Sequence, residues 1–521
     1  MMHQNVRERS KGRERWIYSI LGVFLGSFLG MSVMEQGLFF IQDVYQIGAF
    51  FFFTLLCLFL YVQLGFKKKR LFLYHRLFQE EALLYLIPLL LSALYAFQLL
   101  AGQPVSIGGT FQNIIRFGLI SGYAAVCLLI GTNPIGKRWL GASFQVVGWF
   151  LVISGLSAVC GLFVLPYTIL RTDDPLISFS GARLSGVLEY PNAFGALIGL
   201  FLLERLAVAS SAFGRYEKGG REQVILSSLA LFPAATALLL SESRGAWLAA
   251  CVCAAAMLLL QRRGQRLPLL CASAAPLLAA AIAHRALAGA SLAPATLPGL
   301  LLLAGGEVAA LAGALLLHTL LARGLKGAAA AVSAACLASC AWLVALTASA
   351  RITSGETWVS REVMWQDAAR FAMRSPWLGH GGEAWKHAVG TVQSFPYAGN
   401  EVHSAYLDMW VDTGVVGLLL MLSLFLYIGR LMWYHARELL PAGLLMMLHG
   451  VIDFDFSYSV FWMILVLFGA QALPIRETTS PALQEDVQSI KGREYFPAWM
   501  WSVLVTFLLL GFSISCLVLV S

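Results

Sequence analysis

In a chain of 521 residues, 59% are apolar and only 12% charged, and the mean hydropathy is +0.75, far from the balance of a soluble domain. A net charge of +8 can suit a nucleic acid, but here Lys and Arg sit in short clusters beside apolar stretches, a pattern of membrane topology and anionic lipid. The composition predicts an all-α polytopic membrane protein with no nucleic-acid partner. All nine cysteines fall within apolar stretches, so neither a disulfide framework nor a zinc cluster is expected.

A spanning helix needs roughly 20 apolar residues, and about fifteen such stretches follow one another along the chain. They lie near 16–34, 47–66, 81–100, 113–131, 141–166, 192–212, 223–241, 245–261, 268–288, 297–322, 328–349, 404–429, 437–452, 457–474 and 498–520. The stretches near 268–288 and 437–452 are the weakest, and the expected count is about 14 transmembrane helices. The first is a retained anchor, since it is of full span length and lacks a small-residue cleavage site.

Cytoplasmic loops carry Lys and Arg. With the N-terminal "RERSKGRER" inside, the inner loops hold Lys67 to Arg70 with Arg76, Lys137-Arg138, the 215–221 cluster, Arg262, Arg263 and Arg266, Arg323 with Lys326, Arg430 with Arg437, and the 476–493 segment. Together these hold most of the 36 basic residues, and the alternation survives every span. It places the long polar interval from Arg351 to Val402 outside. The chain thus divides into an N-terminal bundle (1–349), an external loop (350–403) and C-terminal helices (404–521). Residues 267–349, rich in Ala, Leu and Gly, are expected to be closely packed helices.

Polar residues at the outer boundaries are the candidates for chemistry. Arg183 lies in "GARLSGVLEYPN". Ser243-Arg244-Gly245 stands where one apolar helix ends and the next begins; Arg244 there either snorkels to the interface or clamps a diphosphate through its paired donors. In the long loop, Trp358, Arg361, Trp365, Ala368 and Ala372 recur at three- and four-residue spacing, widened by Met364 and Phe371. That is the pattern of a short amphipathic helix on the membrane surface, with tryptophans fixing Arg361 at headgroup depth. Arg361 is otherwise a solvated surface cation. "RSPWLGHGG" ends the helix.

His403 opens the next apolar stretch, either as a polar helix-start residue or as a base able to take a hydroxyl proton near neutral pH. Asp408 and Asp412 follow one turn apart, as groups that orient partners or pair with other helices. In "HGVIDFDF", His449 and Asp453 are four apart on one helical face, which suits a hydrogen-bonded structural pair as well as a catalytic one, with a two-residue metal site as a weaker option.

Taken in order, "SESRGAWLA", "REVMWQDAARFAMRSPWLGHG", "HSAYLDMWVDTGVVG" and "HGVIDFDF" resemble the signature of the O-antigen ligase and polymerase superfamily over about residues 180–470. The resemblance implies a GT-C-like helical fold in the cytoplasmic membrane of a bacterium. It also implies metal-independent transfer of a glycan from undecaprenyl diphosphate to an acceptor hydroxyl of a glycan, lipid or protein, without a cofactor. Carried onto this chain, Arg244 and Arg361 bind the diphosphate and His403 activates the acceptor; Arg183, Trp358, Trp365, Asp412, His449 and Asp453 are the accompanying substrate-site candidates. The chain departs from the family pattern at Ser404, where asparagine is frequent, at Asp412, where glutamate often precedes glycine, and in region 267–327, which looks like an addition.

Three other readings compete. A polymerase of lipid-linked repeats needs the same donor site. A transporter or flippase would place its key polar groups near mid-membrane, often on broken helices or in repeated halves. A metal-dependent oligosaccharyltransferase would recruit Glu35 and Asp43, which are otherwise solvated loop carboxylates.

Overall fold

The computed structural model describes residues 2–65, 80–102, 104–163, 165–215, 220–352, 356–397, 399–475 and 510–516. The basic segments 67–70 with Arg76 and 476–493, and all of the last apolar stretch except 510–516, lie outside the described residues. In chain order the helices are α1 (Met2–Met34), α2 (Ile41–Gly65), α3 (Leu83–Ala101), α4 (Ile107–Gly131), α5 (Pro134–Val159) and α6 (Pro191–Phe213). Next come α7 (Gly220–Ser228), α8 (Leu231–Leu240), α9 (Arg244–Leu260), α10 (Arg263–Gly289), α11 (Thr296–Ala322) and α12 (Lys326–Ile352). The last are α13 (Glu356–Ala372), α14 (Ala384–Val392), α15 (Ala405–His435), α16 (Leu440–Ile452) and α17 (Ser459–Gln471). Between α5 and α6 a small antiparallel hairpin pairs β1 (Ile169–Arg171) with β2 (Ala182–Leu184), Leu170 facing Arg183.

Helix starts follow local chemistry. Ser106 and Ser243 accept from the amides of Gly109 and Ala246, and Asn133 accepts from Ile135 beside Pro134 at the first helical position. Among the described residues eleven helices, with α7 and α8 counted as one span, are long and apolar enough to cross a membrane, so the chain is an all-α polytopic membrane protein. Three more apolar helices are shorter: α9 has 17 residues and α16 and α17 have 13 each. At 1.5 Å per residue they reach only about 26, 20 and 20 Å, short of the roughly 30 Å hydrocarbon layer. The apolar run near 437–452 stops at Asp453 because that residue leaves the helix in extended geometry. The weak stretch near 268–288 is by contrast a full helix, α10.

Alternating helix direction gathers the loops after alternate spans at one end of the bundle. There Val460 N donates to Gly37 O (3.1 Å), Val105 N to His380 O (2.9 Å) and Arg171 to Ser291 O (2.9 Å). At the other end Lys137 reaches the Leu473 carbonyl. The helices of the Ala-rich region pack on one another, as expected, but are covered unevenly by the rest of the bundle. In α10, 67% of the most apolar window is buried, against 17% in α11 and 11% in α12, so the last two form an outer flank.

The polar interval is folded onto the bundle. Helix α13 forms as expected, but Met364, Ala368 and Phe371 are covered by Trp385, Val402 and Val411, so that face meets protein and not lipid; Trp358 remains exposed. Periodicity reveals an apolar face and is blind to what covers it. A second helix, α14, was not foreseen. Buried Asp367 ties α13 to the end of this interval: its carboxylate accepts from Ser394 N (2.8 Å), Ser394 Oγ (3.1 Å) and Tyr397 Oη (2.9 Å) and pairs with Arg370.

Between α13 and α14 the "SPWLGHGG" backbone inserts into a break in α15. Gly414 lies inside α15 with φ +67°, and a methyl group there would overlap the Trp377 carbonyl and the Leu378 amide. Gly379, at φ +70°, packs as closely on the Asp412 carbonyl. The helix groups freed by the break are satisfied by the inserted loop: His380 N donates to Val411 O (2.9 Å), Gly381 N to Asp412 O (3.0 Å), and Val415 N to Pro376 O (2.8 Å).

Gly414→Ala combines a disfavoured φ with overpacking and is expected to destabilise by on the order of 3 kcal/mol. A thermal melt of the detergent-solubilised protein should show a lowered midpoint; an unchanged midpoint would contradict the inserted loop. A second expectation concerns acid. Burial alone would raise the Asp367 carboxyl, but the Ser394 amide and hydroxyl, Tyr397 and Arg370 outweigh it and hold it below its ordinary value of 3.8. The stabilisation is therefore complete above about pH 4 and lost as pH falls through the lower folded-state value. Proteolysis within 373–402 should stay slow at neutral pH and accelerate on acidification, and Asp367→Asn should be cut rapidly even at pH 7.

Candidate active site

Where α16 ends, Asp453 turns inward and is only 1% exposed. A carboxylate in that position needs donors, and four parts of the chain supply them. Tyr190 Oη donates to Oδ1 (2.9 Å) and Asn192 Nδ2 to Oδ2 (2.8 Å), both from the start of α6, where Pro191 occupies the first helical position. The Phe454 amide donates to Oδ1 (3.0 Å). From α13, Arg361 Nη2 reaches Oδ2 (3.3 Å), and His403 Nδ1, just ahead of α15, lies 3.4 Å from Oδ1. Burial pushes this carboxyl up, but the hydrogen bond with His403 and the Arg361 charge prevail, holding it well below the usual carboxylate range.

Arg361 also donates through Nη1 to the Ile452 carbonyl (2.6 Å), capping the C-terminus of α16. Trp365 Nε1 donates to His403 O (2.8 Å), and Ala405 N to Asp453 O (3.1 Å), so the backbone around the imidazole is fixed as well. The His403 ring packs on Phe454 at 5.2 Å, and Phe454 stacks on Tyr190 at 4.7 Å. With Nδ1 directed at Asp453, Nε2 points away toward Gly399, where a methyl group would lie 3.8 Å from it.

The other sequence candidates divide. Arg244 is the first residue of α9 after its Ser243 cap, close enough to Arg361 for the two charges to repel. Arg183 is 6% exposed and donates to Asn192 Oδ1 (2.6 Å) and Ser241 O (2.9 Å), so it acts on Asp453 through Asn192. Trp358 stacks edge-on against Trp365 at 5.4 Å. The expected His449–Asp453 bond does not form: His449 Nδ1 lies 2.6 Å from Asp455 Oδ2, because α16 stops before Asp453 and the helical spacing no longer applies. Asp412 lies apart from this cluster, accepting from the amides of Glu383 (3.0 Å) and Ala384 (3.1 Å) at the start of α14 and from Tyr95 Oη (3.4 Å). Glu35 and Asp43 belong to no group of three His, Cys, Asp or Glu able to hold a metal ion among the described residues.

Sequence reasoning missed Tyr190 and Asn192, although the polar pair around Pro191 at the mouth of an apolar helix is a usable signal. It also missed Arg116, 7% exposed in the middle of "QNIIRFGLI"; an ionisable residue inside an apolar span is a functional candidate by default.

No curated protein matches the chain. Residues 229–422 match the family model for O-antigen ligase. The match runs from α8 into α15, takes in Arg244, Arg361, His403 and Asp412, and ends before His449 and Asp453. Motifs and polytopic helical fold agree with this match over residues 229–422, which supports the O-antigen ligase superfamily.

Proposed function

We propose that the protein transfers a glycan from undecaprenyl diphosphate to an acceptor hydroxyl on the outer face of the cytoplasmic membrane. The observation that carries this reading is the sharing of one buried carboxylate, Asp453, by Arg361 and His403. A guanidinium has five N–H donors. Two of those on Arg361 serve Asp453 and the Ile452 carbonyl, the remainder can meet phosphate oxygens, and Arg244 adds its charge beside it.

The diphosphate leaves without protonation, so the demand on the protein is neutralisation of the negative charge that accumulates as the glycosidic bond breaks. Clustered arginines answer that demand without a metal. Asp453 holds the proton on His403 Nδ1, leaving Nε2 to take the acceptor's proton as its oxygen attacks the anomeric carbon. Direct displacement of this kind inverts configuration.

The topology belongs to the same proposal. Basic clusters put the N-terminus inside, so the end carrying Arg244, Arg361, His403 and Asp453 is external, and residues 350–403 form the extracytoplasmic catalytic loop between the 1–349 bundle and the 404–521 helices. About 14 crossings follow when α9, α16 and α17 are counted; short helices suit the bilayer where a polar site at their outer ends thins it. Ligase and polymerase differ only in the acceptor.

Purified protein supplied with lipid-linked glycan should form a product, either a lengthened ladder on the carrier lipid, marking a polymerase, or glycan on another molecule, marking a ligase. His403→Ala should lower kcat by about 10²–10⁴-fold while undecaprenyl diphosphate still binds. Arg361→Ala should lose both binding and turnover. Normal insertion and full transfer in these two variants would refute the enzyme reading. Asp453→Asn, which cannot hold the imidazole in one tautomer, should lower kcat by about 10²–10⁴-fold with acceptor KM little changed.

A further inference from the structure

Beside the 453–458 turn, which contributes Phe456 and Ser457 to its wall, lies a cavity of about 450 Å³, within the range of small-ligand pockets. The rings of Phe39, Phe40, Tyr95, Phe117 and Phe456 line it, together with the carboxyl groups of Asp43, Glu383, Glu401, Asp408 and Asp412. Its cations are Arg116 and Lys386, and both are engaged. Lys386 pairs with Glu383 (3.6 Å), and Arg116 donates to Asn113 Oδ1 (3.3 Å) and Phe39 O (3.2 Å). An anion entering here would meet a carboxylate surplus.

The wall also carries the amide of Gln42 and the hydroxyl of Ser457, which both give and take hydrogen bonds as a sugar hydroxyl does. Burial and the neighbouring Asp408 push the Glu401 carboxyl up to about 8, which adds a neutral group able to do the same at pH 7. Aromatic faces beside polar groups that give and take hydrogen bonds suit a sugar, whose ring has apolar C–H faces and a hydroxyl rim.

The cavity adjoins the imidazole. Glu401 stands two residues before His403, and Phe39 in the cavity wall packs on Phe454 (6.1 Å), which packs on His403 (5.2 Å). The cavity wall and the Asp453 cluster are thus linked through Phe454, which packs on both Phe39 and His403.

We propose that this cavity seats the acceptor, and that the acceptor is a neutral, hydroxyl-rich glycan whose bound portion carries no phosphate or carboxylate. The inference rests on the transfer reading above and adds to it the chemistry of the acceptor. The full chain in lipid nanodiscs, with lipid-linked donor, would be given octyl glycosides of neutral disaccharides and the same compounds bearing a 6-phosphate. The neutral set should be used with at least about tenfold higher kcat/KM, since a phosphate would face like charges. Phe40→Ala, at the cavity mouth, and the Asp43→Asn/Glu401→Gln pair should raise acceptor KM about tenfold or more. In both variants undecaprenyl diphosphate binding and the thermal midpoint should be unchanged, and the double variant should narrow the discrimination against phosphate.

Equal use or preference of the phosphorylated set, unchanged acceptor KM in both variants, or no transfer to either set by protein that binds the donor would each overturn the inference. Failure of the wild type to bind undecaprenyl diphosphate would instead sink the transfer reading itself.

Discussion

A single buried carboxylate, Asp453, organises one end of this helical bundle. Taking such a charge out of water costs several kcal/mol unless it is met by well-placed donors. Here the donors come from the start of α6, from α13, from the residue ahead of α15 and from the neighbouring Phe454 amide. Each must be in place for the others to be useful, so the charge couples segments more than 250 residues apart in sequence, the separation of Tyr190 and Asp453 being 263. The same group that stabilises the junction fixes Arg361 and orients His403. Structure and proposed chemistry thus draw on one electrostatic arrangement.

The position of α13 depends on a second constraint, the broken helix α15. A long helix offers no free backbone groups in its interior, yet the loop after α13 binds there because Gly414 opens the ladder and the loop amides refill it. Only residues without a Cβ tolerate this approach, which is why glycines stand on both sides at 379 and 414. Asp367 adds a second tie by holding the Ser394–Tyr397 end against α13. Arg361 is carried on a helix tied down at its C-terminal end, and an otherwise polar interval becomes a wall of the site.

Charge is partitioned across the 453–458 turn. Arg361, Arg244 and Arg183 gather about Asp453, while Asp43, Glu383, Glu401 and Asp408 surround the cavity and outnumber its cations, Arg116 and Lys386. The arrangement suits a reaction in which an anionic carrier and an alcohol approach one imidazole from different directions. A reaction between two anions would gain from an excess of cations on both sides, whereas in the cavity Arg116 and Lys386 are outnumbered by carboxyl groups.

The sequence by itself determined the spans. A stretch of roughly 20 apolar residues satisfies its own backbone and needs no partner to be a helix in lipid, so its identity is local. Arg361 and His403 were legible for a related reason, since polar groups at the ends of such stretches are costly and stand out. The tertiary structure decided which of these polar residues meet. Asp453 and His449 looked paired by helical spacing, but α16 ends between them, and the partner of His449 became Asp455. Tyr190, Asn192 and Arg116 take part only because α6 and α4 bring them to the same end of the bundle, and Asp412 is drawn off to α14 by a helix that periodicity did not reveal. Which span ends become neighbours is settled by side-chain packing and hydrogen bonds between distant segments, and no local pattern in the chain encodes it.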